Sequence, residues 1–545
     1  MITKLKSTLT RPDSLGGFLF ALVLSLLFLH YTFPTGFIAG NSSYWTSQHD
    51  DITQYIAGFN AYFSEPWHFP LFKIDAFNYP IGTRSTFVDI IPIYSSMLKL
   101  FVPQDFFPFN PFGYWIAFSF MMQAVSAWLI IKSLNITSWI TLIALSIFLL
   151  LFPALLARLG HISLMSHYLI LLSFVLYIRS VQKPYQPLLW TALLVVAFYI
   201  NIYIFTMSLA IFFTTIATNL KKLELKQNLI QLLLPIFLIA ATSYLTIFPL
   251  PKSGFAQDFG WGYYSMNLLS PFYGGAFLKI PNAEMPGQYE GFNYLGLGLI
   301  ALFVYALYLR KKYDTDFFKR HRAMLILLLL FFIYALSYKV YIGTFKVLSF
   351  SYPSFMDTLI HQFRASGRFF WPVGYAIAIF SIVMVSRYAP DKKVPILLVA
   401  VLLQIVDLKE RHILFTNTAN RKTTDIIDLQ NWKNRLGDEV KHIYFYPKFR
   451  CSKLPPHDTI LPTMLYASQN KITLNTGYIA RYQPDCNDVL SEIKTSDFNN
   501  SAYLFAKGEY TEEEIKNFFK NEQTITCSTL DVVTVCKKIN PEKIQ

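Results

Sequence analysis

Long apolar runs recur from residue 17 to residue 408, and no other feature constrains the chain as much. A bilayer core of about 30 Å is crossed by about 20 predominantly apolar residues in a helix. Eleven runs are read as spans, at about 17–33, 113–131, 138–155, 162–178, 187–203, 204–219, 228–248, 292–309, 323–338, 370–386 and 394–408. Charged residues make up 15% of the 545 residues and hydrophobic ones 54%, against about 25% charged in soluble domains. A soluble enzyme, a disordered chain and a collagen-like chain are thereby excluded. The net charge of +14 is concentrated in residues 1–408, which carry +12, leaving +2 for 409–545. A basic excess on a membrane part poor in acids reflects topology, not nucleic-acid binding.

Charge placement orients the spans. The first run follows Lys4, Lys6 and Arg11, is long, and has no small-x-small cleavage site after it, so it reads as an uncleaved anchor. The stretch 187–219 is read as a hairpin about Asn201. The stretch 87–101, with Asp89, Pro92 and Lys99, is read as interfacial. With the N-terminus cytoplasmic, these readings place Lys132, Arg179 and Lys183, Lys221, Lys222 and Lys226, Arg310 through Arg322, and Arg387, Lys392 and Lys393 all inside. An odd span count puts residues 409–545 outside. All four cysteines, Cys451, Cys486, Cys527 and Cys536, lie in that tail. An even set confined to an extracytoplasmic domain reads as disulfides. Cys527 and Cys536 bracket two β-rich runs that could form a hairpin, which leaves Cys451 for Cys486; four free thiols is the alternative. No Cys-x-x-Cys metal spacing occurs.

The expected fold is mainly α: a polytopic helical bundle over 1–408, with outer loops at 34–112 and 249–291, and a small α/β domain over 409–545. In the tail, DIIDLQNWKNRLGDEV predicts a helix, HIYFYPKF and KITLNTGYI predict strands, and YTEEEIKNFFKNE predicts a helix with Thr511 as N-cap. No internal repeat and no Gly-rich phosphate loop is present. GLGL at 296–299 is read as helix packing.

Three outer segments could carry chemistry. The first loop centres on His49, Asp50 and Asp51, with Gln54 and Tyr55 one turn further. A helix starting near Asp50 puts Asp51 and Gln54 on one face. A carboxylate there can act as a general base or hold a divalent cation, or it simply caps the helix. Asp89 is a second acid with the same two readings. Positive charge is misplaced at Arg158 and His161, between spans three and four, and at Arg364 and Arg368, before span ten. Arg364 and Arg368 share a face if HQFRASGRFFWP is helical, with Gly367 between them allowing close approach. Two guanidinium forks suit a phosphate, and equally an ordinary lipid headgroup. The spacing of His161 and His167 does not stack on a helix, so no metal pair is read there. In the third segment, Trp261, Tyr263, Tyr264, Tyr273 and Tyr289 could face sugar rings or form an interfacial aromatic belt, and Glu290 is a third acid.

The stretches DDITQYIAGFNAYFSEPWHFPL, NYPIGTRSTFVDIIPIYSSMLKLF, RLGHISLMSHYLILLS, YEGFNYLGLG and FRASGRFFWPVGY run in order from about residue 50 to 375. In them the chain is similar to an uncharacterised family of bacterial integral membrane proteins with a domain of unknown function. Its layout resembles the GT-C superfamily of membrane glycosyltransferases, which use lipid-phosphate-linked sugars and an acid in the first outer loop. The family pattern has an Asp three residues before a Gln-His pair. Asp51 and Gln54 match, but Tyr55 stands where His is usual, which leaves His49 or His68 to replace it. Asp89, Arg158, His161, His167, Glu290, Arg364 and Arg368 match.

The resemblance implies a multi-pass protein of the bacterial inner membrane with a periplasmic tail. It would transfer a sugar from a polyprenyl-phosphate donor to a glycan or lipid acceptor. Asp51 would be the base, with Asp50 or Asp89 as alternatives. Arg364, Arg368 and Arg158 would bind the lipid phosphate, in a cavity shared with Asp51. No nucleotide cofactor is implied, and a divalent cation is compatible but not required. The competing expectations are a transporter or flippase of a lipid-linked glycan and a non-catalytic envelope assembly protein.

Overall fold

A computed structural model describes residues 11–538 except 49, 252, 253, 257, 454 and 523. Lys4, Lys6 and His49 therefore lie outside the described residues. The protein is mostly helical, and each of the eleven apolar runs coincides with a helix. Among the described residues, seven helical stretches are long and apolar enough to cross a membrane: Leu15–Thr32, Phe112–Ser133, Trp139–Leu156, Ile162–Arg179, Ile202–Lys222, Leu225–Thr246 and Ser366–Tyr388. Pro187–Phe198 and Arg322–Leu336 are shorter apolar helices. In Leu15–Thr32 the buried seam is Gly17, Ala21, Ser25 and Leu29, one residue every four, while Leu19, Val23, Leu26 and Leu27 are exposed. Small residues inward and leucines outward is how helices pack in lipid, where apolar exposure costs nothing.

The break about Asn201 is real. Pro187 opens one helix and Asn201 caps the next, its side chain accepting from the Tyr203 amide at 3.0 Å. Trp190 meets Phe212 at 5.2 Å and Phe198 meets Phe205 at 5.3 Å. These pairs lie almost symmetrically about residue 201, so the two helices run antiparallel. The 87–101 stretch holds only the ten-residue helix Pro92–Phe101, about 15 Å long and too short to span. The run at 292 becomes helical only at Leu297. There GLGL does pack helices: a Cβ on Gly298 would lie 2.2 Å from the Ala400 carbonyl oxygen.

Two compact units interleave along the chain. One comprises Met1–Ile38, Gly113–Ile239 and Gln257–Asn420; the other comprises Ala39–Phe112, Ala240–Ala256 and Arg421–Gln545. The second unit is built on a five-stranded sheet. Its strands lie in the order Ile525–Leu530, Val533–Lys538, Ser501–Ala506, His442–Tyr446, Thr473–Leu474. The first three pair antiparallel, and His442–Tyr446 pairs parallel with both of its neighbours. The edge strand is covered by the first loop: Leu474 donates to Ala76 at 2.7 Å and Tyr79 donates to Leu474 at 3.0 Å. A covered edge removes unpaired backbone groups, which explains why residues 39–112 fold with the tail. The helix Glu512–Phe518 has the expected cap, a reciprocal Thr511–Glu514 capping box.

Both expected disulfides are present, Cys451–Cys486 and Cys527–Cys536. Cys527 and Cys536 are directly opposite in the hairpin register. The apolar helices fit a membrane protein and the disulfides indicate an oxidising, extracytoplasmic setting for the tail. Replacing Cys451 and Cys486 by Ser opens a loop of sequence separation 35. It should destabilise the protein by about 3–4 kcal/mol on the loop-entropy scale. Thermal unfolding of the detergent-purified variant checks this.

Candidate functional site

Each unit holds ionisable side chains that the sequence singles out. In the first, Arg158 and His161 occupy the turn between Trp139–Leu156 and Ile162–Arg179, with the His161 amide donating to the Arg158 carbonyl at 2.9 Å. Glu290 sits in the 3-10 turn Gln288–Gly291. Arg368 sits in the 3-10 turn Ser366–Phe370. Gly367 lets these two turns touch: a Cβ there would lie 2.4 Å from the Gly291 Cα.

The contact delivers Arg368 to Glu290. Arg368 donates Nε and Nη2 to Oε2 at 3.0 and 2.9 Å, Arg158 donates Nη1 to the same oxygen at 2.6 Å, and His161 Nε2 lies 3.2 Å from Oε1. Arg158 also donates Nη2 to the Tyr289 and Glu290 carbonyls, both at 3.1 Å. Burial works against the Glu290 charge, but Arg158 and then Arg368 outweigh it and hold the carboxyl well below the usual carboxylate range. Two guanidiniums thus converge on one carboxylate. Arg158 Nε is buried with no hydrogen-bond partner among the described residues. The cluster can therefore attract an anion while remaining internally paired.

The expected arginine pair is not one fork. Helix Asp357–Gln362 ends before Arg364, and Arg368 lies in a separate 3-10 turn, so spacing by four does not give a shared face. Arg364 donates to the Phe259 carbonyl and lies over the Tyr264 ring. His167 is also separate from His161: it is buried, with Nδ1 2.9 Å from the Tyr375 hydroxyl. Of the loop aromatics, Tyr263 and Tyr289 expose their rings, Tyr273 is buried and Trp261 stacks on Tyr338.

In the second unit the helix Asp51–Ser64 begins where expected, with Asp50 at the N-cap position. Asp50 makes no cap bond through its side chain. It accepts from Ser47 Oγ at 2.5 Å and pairs with Arg421. Asp51, in the first turn, has His457 Nε2 3.6 Å from its Oδ1. The neighbouring Asp51 carboxylate raises the imidazole above its ordinary pKa of 6.5, and burial opposes this. Both side chains remain about one-third exposed, at 31% and 39%. Gln54 shares the helix with Asp51 but is buried, donating to the Tyr478 carbonyl at 2.7 Å. It ties the helix to the tail. Tyr55, at the family's His position, is buried too.

The imidazole beside Asp51 comes from the tail. Nothing local in LPPHDTIL announces His457; only the fold that lays the tail on the first loop does. His68 lies with Glu65 and Asp75, 3.8 and 3.5 Å from their carboxylates. Glu65 already accepts the Asp75 and Ala76 amides, and Lys73 pairs with Asp75 at 2.8 Å. Asp89 is exposed on a left-handed backbone, φ 57°, and Ile91 has φ 55°. For a β-branched residue that is a strained conformation.

Residues 22–409 match the family described as Domain of unknown function (DUF6311), and residues 431–538 match the DUF6311 C-terminal domain. No match to a curated protein was found.

Proposed function

We propose that this chain, which belongs to the DUF6311 family, is a GT-C-like membrane glycosyltransferase that moves a sugar from a polyprenyl-phosphate donor to a glycan or lipid acceptor. In this reading the chain crosses the bacterial inner membrane eleven times, with the N-terminus cytoplasmic and the tail periplasmic. The observation that carries it is the Asp51–His457 pair, a partly exposed carboxylate beside an imidazole on a disulfide-bearing unit. Asp51 takes the proton of an acceptor hydroxyl. The acceptor oxygen bonds to the anomeric carbon as the bond from that carbon to the phosphate oxygen breaks. The electron pair leaves on the polyprenyl phosphate, and the anomeric configuration inverts. The guanidiniums of Arg158 and Arg368, held together on Glu290, suit a departing phosphate.

Reconstitution in vesicles with polyprenyl-phosphate sugars, read by transfer to added glycans, tests the activity. Loss of one sugar from the surface glycans of a deletion strain tests it in the cell. Unchanged glycans, together with no transfer in vesicles, would reject the proposal.

His457 makes the pH dependence specific. Below its raised pKa the imidazolium pairs with Asp51 and occupies the carboxylate. Above it, the neutral imidazole leaves Asp51 as a base. The rate should therefore rise with pH through a value above 6.5. His457→Gln should remove that limb and lower the high-pH plateau by no more than about tenfold. A pH–rate profile of kcat/KM for both proteins checks it.

A further inference from the structure

We infer that the second unit carries a binding cleft for a neutral, hydroxyl-rich saccharide. The cleft has a volume of about 780 Å³ and is lined by residues of the first loop and of the tail, within the range of small-molecule sites. Trp45 and Phe109 supply aromatic walls, which suit the C–H faces of a sugar ring. Asn60 lines it from the helix Asp51–Ser64 and is only 1% exposed. Its Oδ1 has no hydrogen-bond partner among the described residues. A buried acceptor in that state calls for a donor. Asp425, Asp428 and Asp531 also line the cleft, and among the described residues no Lys, Arg or His does.

That charge pattern selects the ligand. Among the described lining residues a phosphate would meet three carboxylates and no cation, which disfavours the lipid-phosphate donor here. A saccharide offers hydroxyl donors to the amide and carboxylate acceptors and apolar faces to the rings. The cleft thus assigns the acceptor's class; its role rests on the glycosyltransferase reading, but its occupancy does not.

Saturation-transfer NMR on the full-length protein in detergent, with neutral trisaccharides of glucose, mannose, galactose and N-acetylglucosamine, tests it. Saturable binding of at least one is expected. Asn60→Leu should weaken it about tenfold, and so should Asp425→Asn at the rim, where folding is not at stake. Three results would overturn the cleft: no trisaccharide bound, binding indifferent to both cleft variants, or preference for spermidine or a sugar phosphate over the neutral sugar. Binding without transfer from any donor would keep the cleft and remove the transferase reading. Transfer unchanged in both cleft variants would do the reverse.

Discussion

Asp51→Asn is expected to lower sugar transfer by about 10²–10⁴-fold, the usual contribution of a general base. The substitution is nearly isosteric and should leave the fold alone. The N-cap position belongs to Asp50, not to Asp51. Membrane insertion and both disulfides should match the unaltered protein. Asp50→Asn is the internal control. Its carboxylate holds Arg421 and Ser47, so its loss should cost stability more than rate. Asp89→Asn separates the remaining alternative. Full activity in Asp51→Asn with loss in Asp89→Asn would move the base to the exposed, strained Asp89.

Glu290→Leu should have the largest effect on stability. It strands two guanidiniums whose side chains are only 2% and 13% exposed. Removing one member of a buried ionic cluster costs about 3–5 kcal/mol, chiefly from the charges left unpaired. Thermal unfolding in detergent reads this, and the triple replacement of Arg158, Arg368 and Glu290 by apolar residues should recover most of it. The Glu290 pKa lies below its unfolded value of 4.5. Its contribution is therefore present above 4.5 and fades only as pH falls through the depressed folded value. The stability gap between variant and parent should stay constant from about pH 6 to 8 and close in acid. Arg368→Lys keeps the charge but loses the two-pronged contact with Oε2. Its transfer rate should fall with little loss of stability. A variant as active as the parent would remove Arg368 from phosphate handling.

Features set by neighbours in sequence were legible without a structure. Apolar runs mark helices because lipid leaves the backbone no partner except itself. The hairpin break at Asn201 and the Thr511 capping box rest on residues within one turn of each other. The pairing Cys527–Cys536 follows from a short hairpin, and Gly367 and Gly298 announced close approach by having no side chain. Arg158, Glu290 and Arg368 were each visible as misplaced charge. Periodicity, however, carries no information on which distant segment a side chain meets. It suggested that Arg364 and Arg368 share one face and that Asp51 and Gln54 share another. In the folded chain Arg368 turns to Glu290, Arg364 to Phe259, and Gln54 to Tyr478. Only the tertiary structure closes the sheet edge at Leu474 with the first loop and so brings His457 to Asp51. The reason is physical. Local sequence determines which helices and turns form, whereas the partner of a buried charge is decided by packing among segments far apart in the chain.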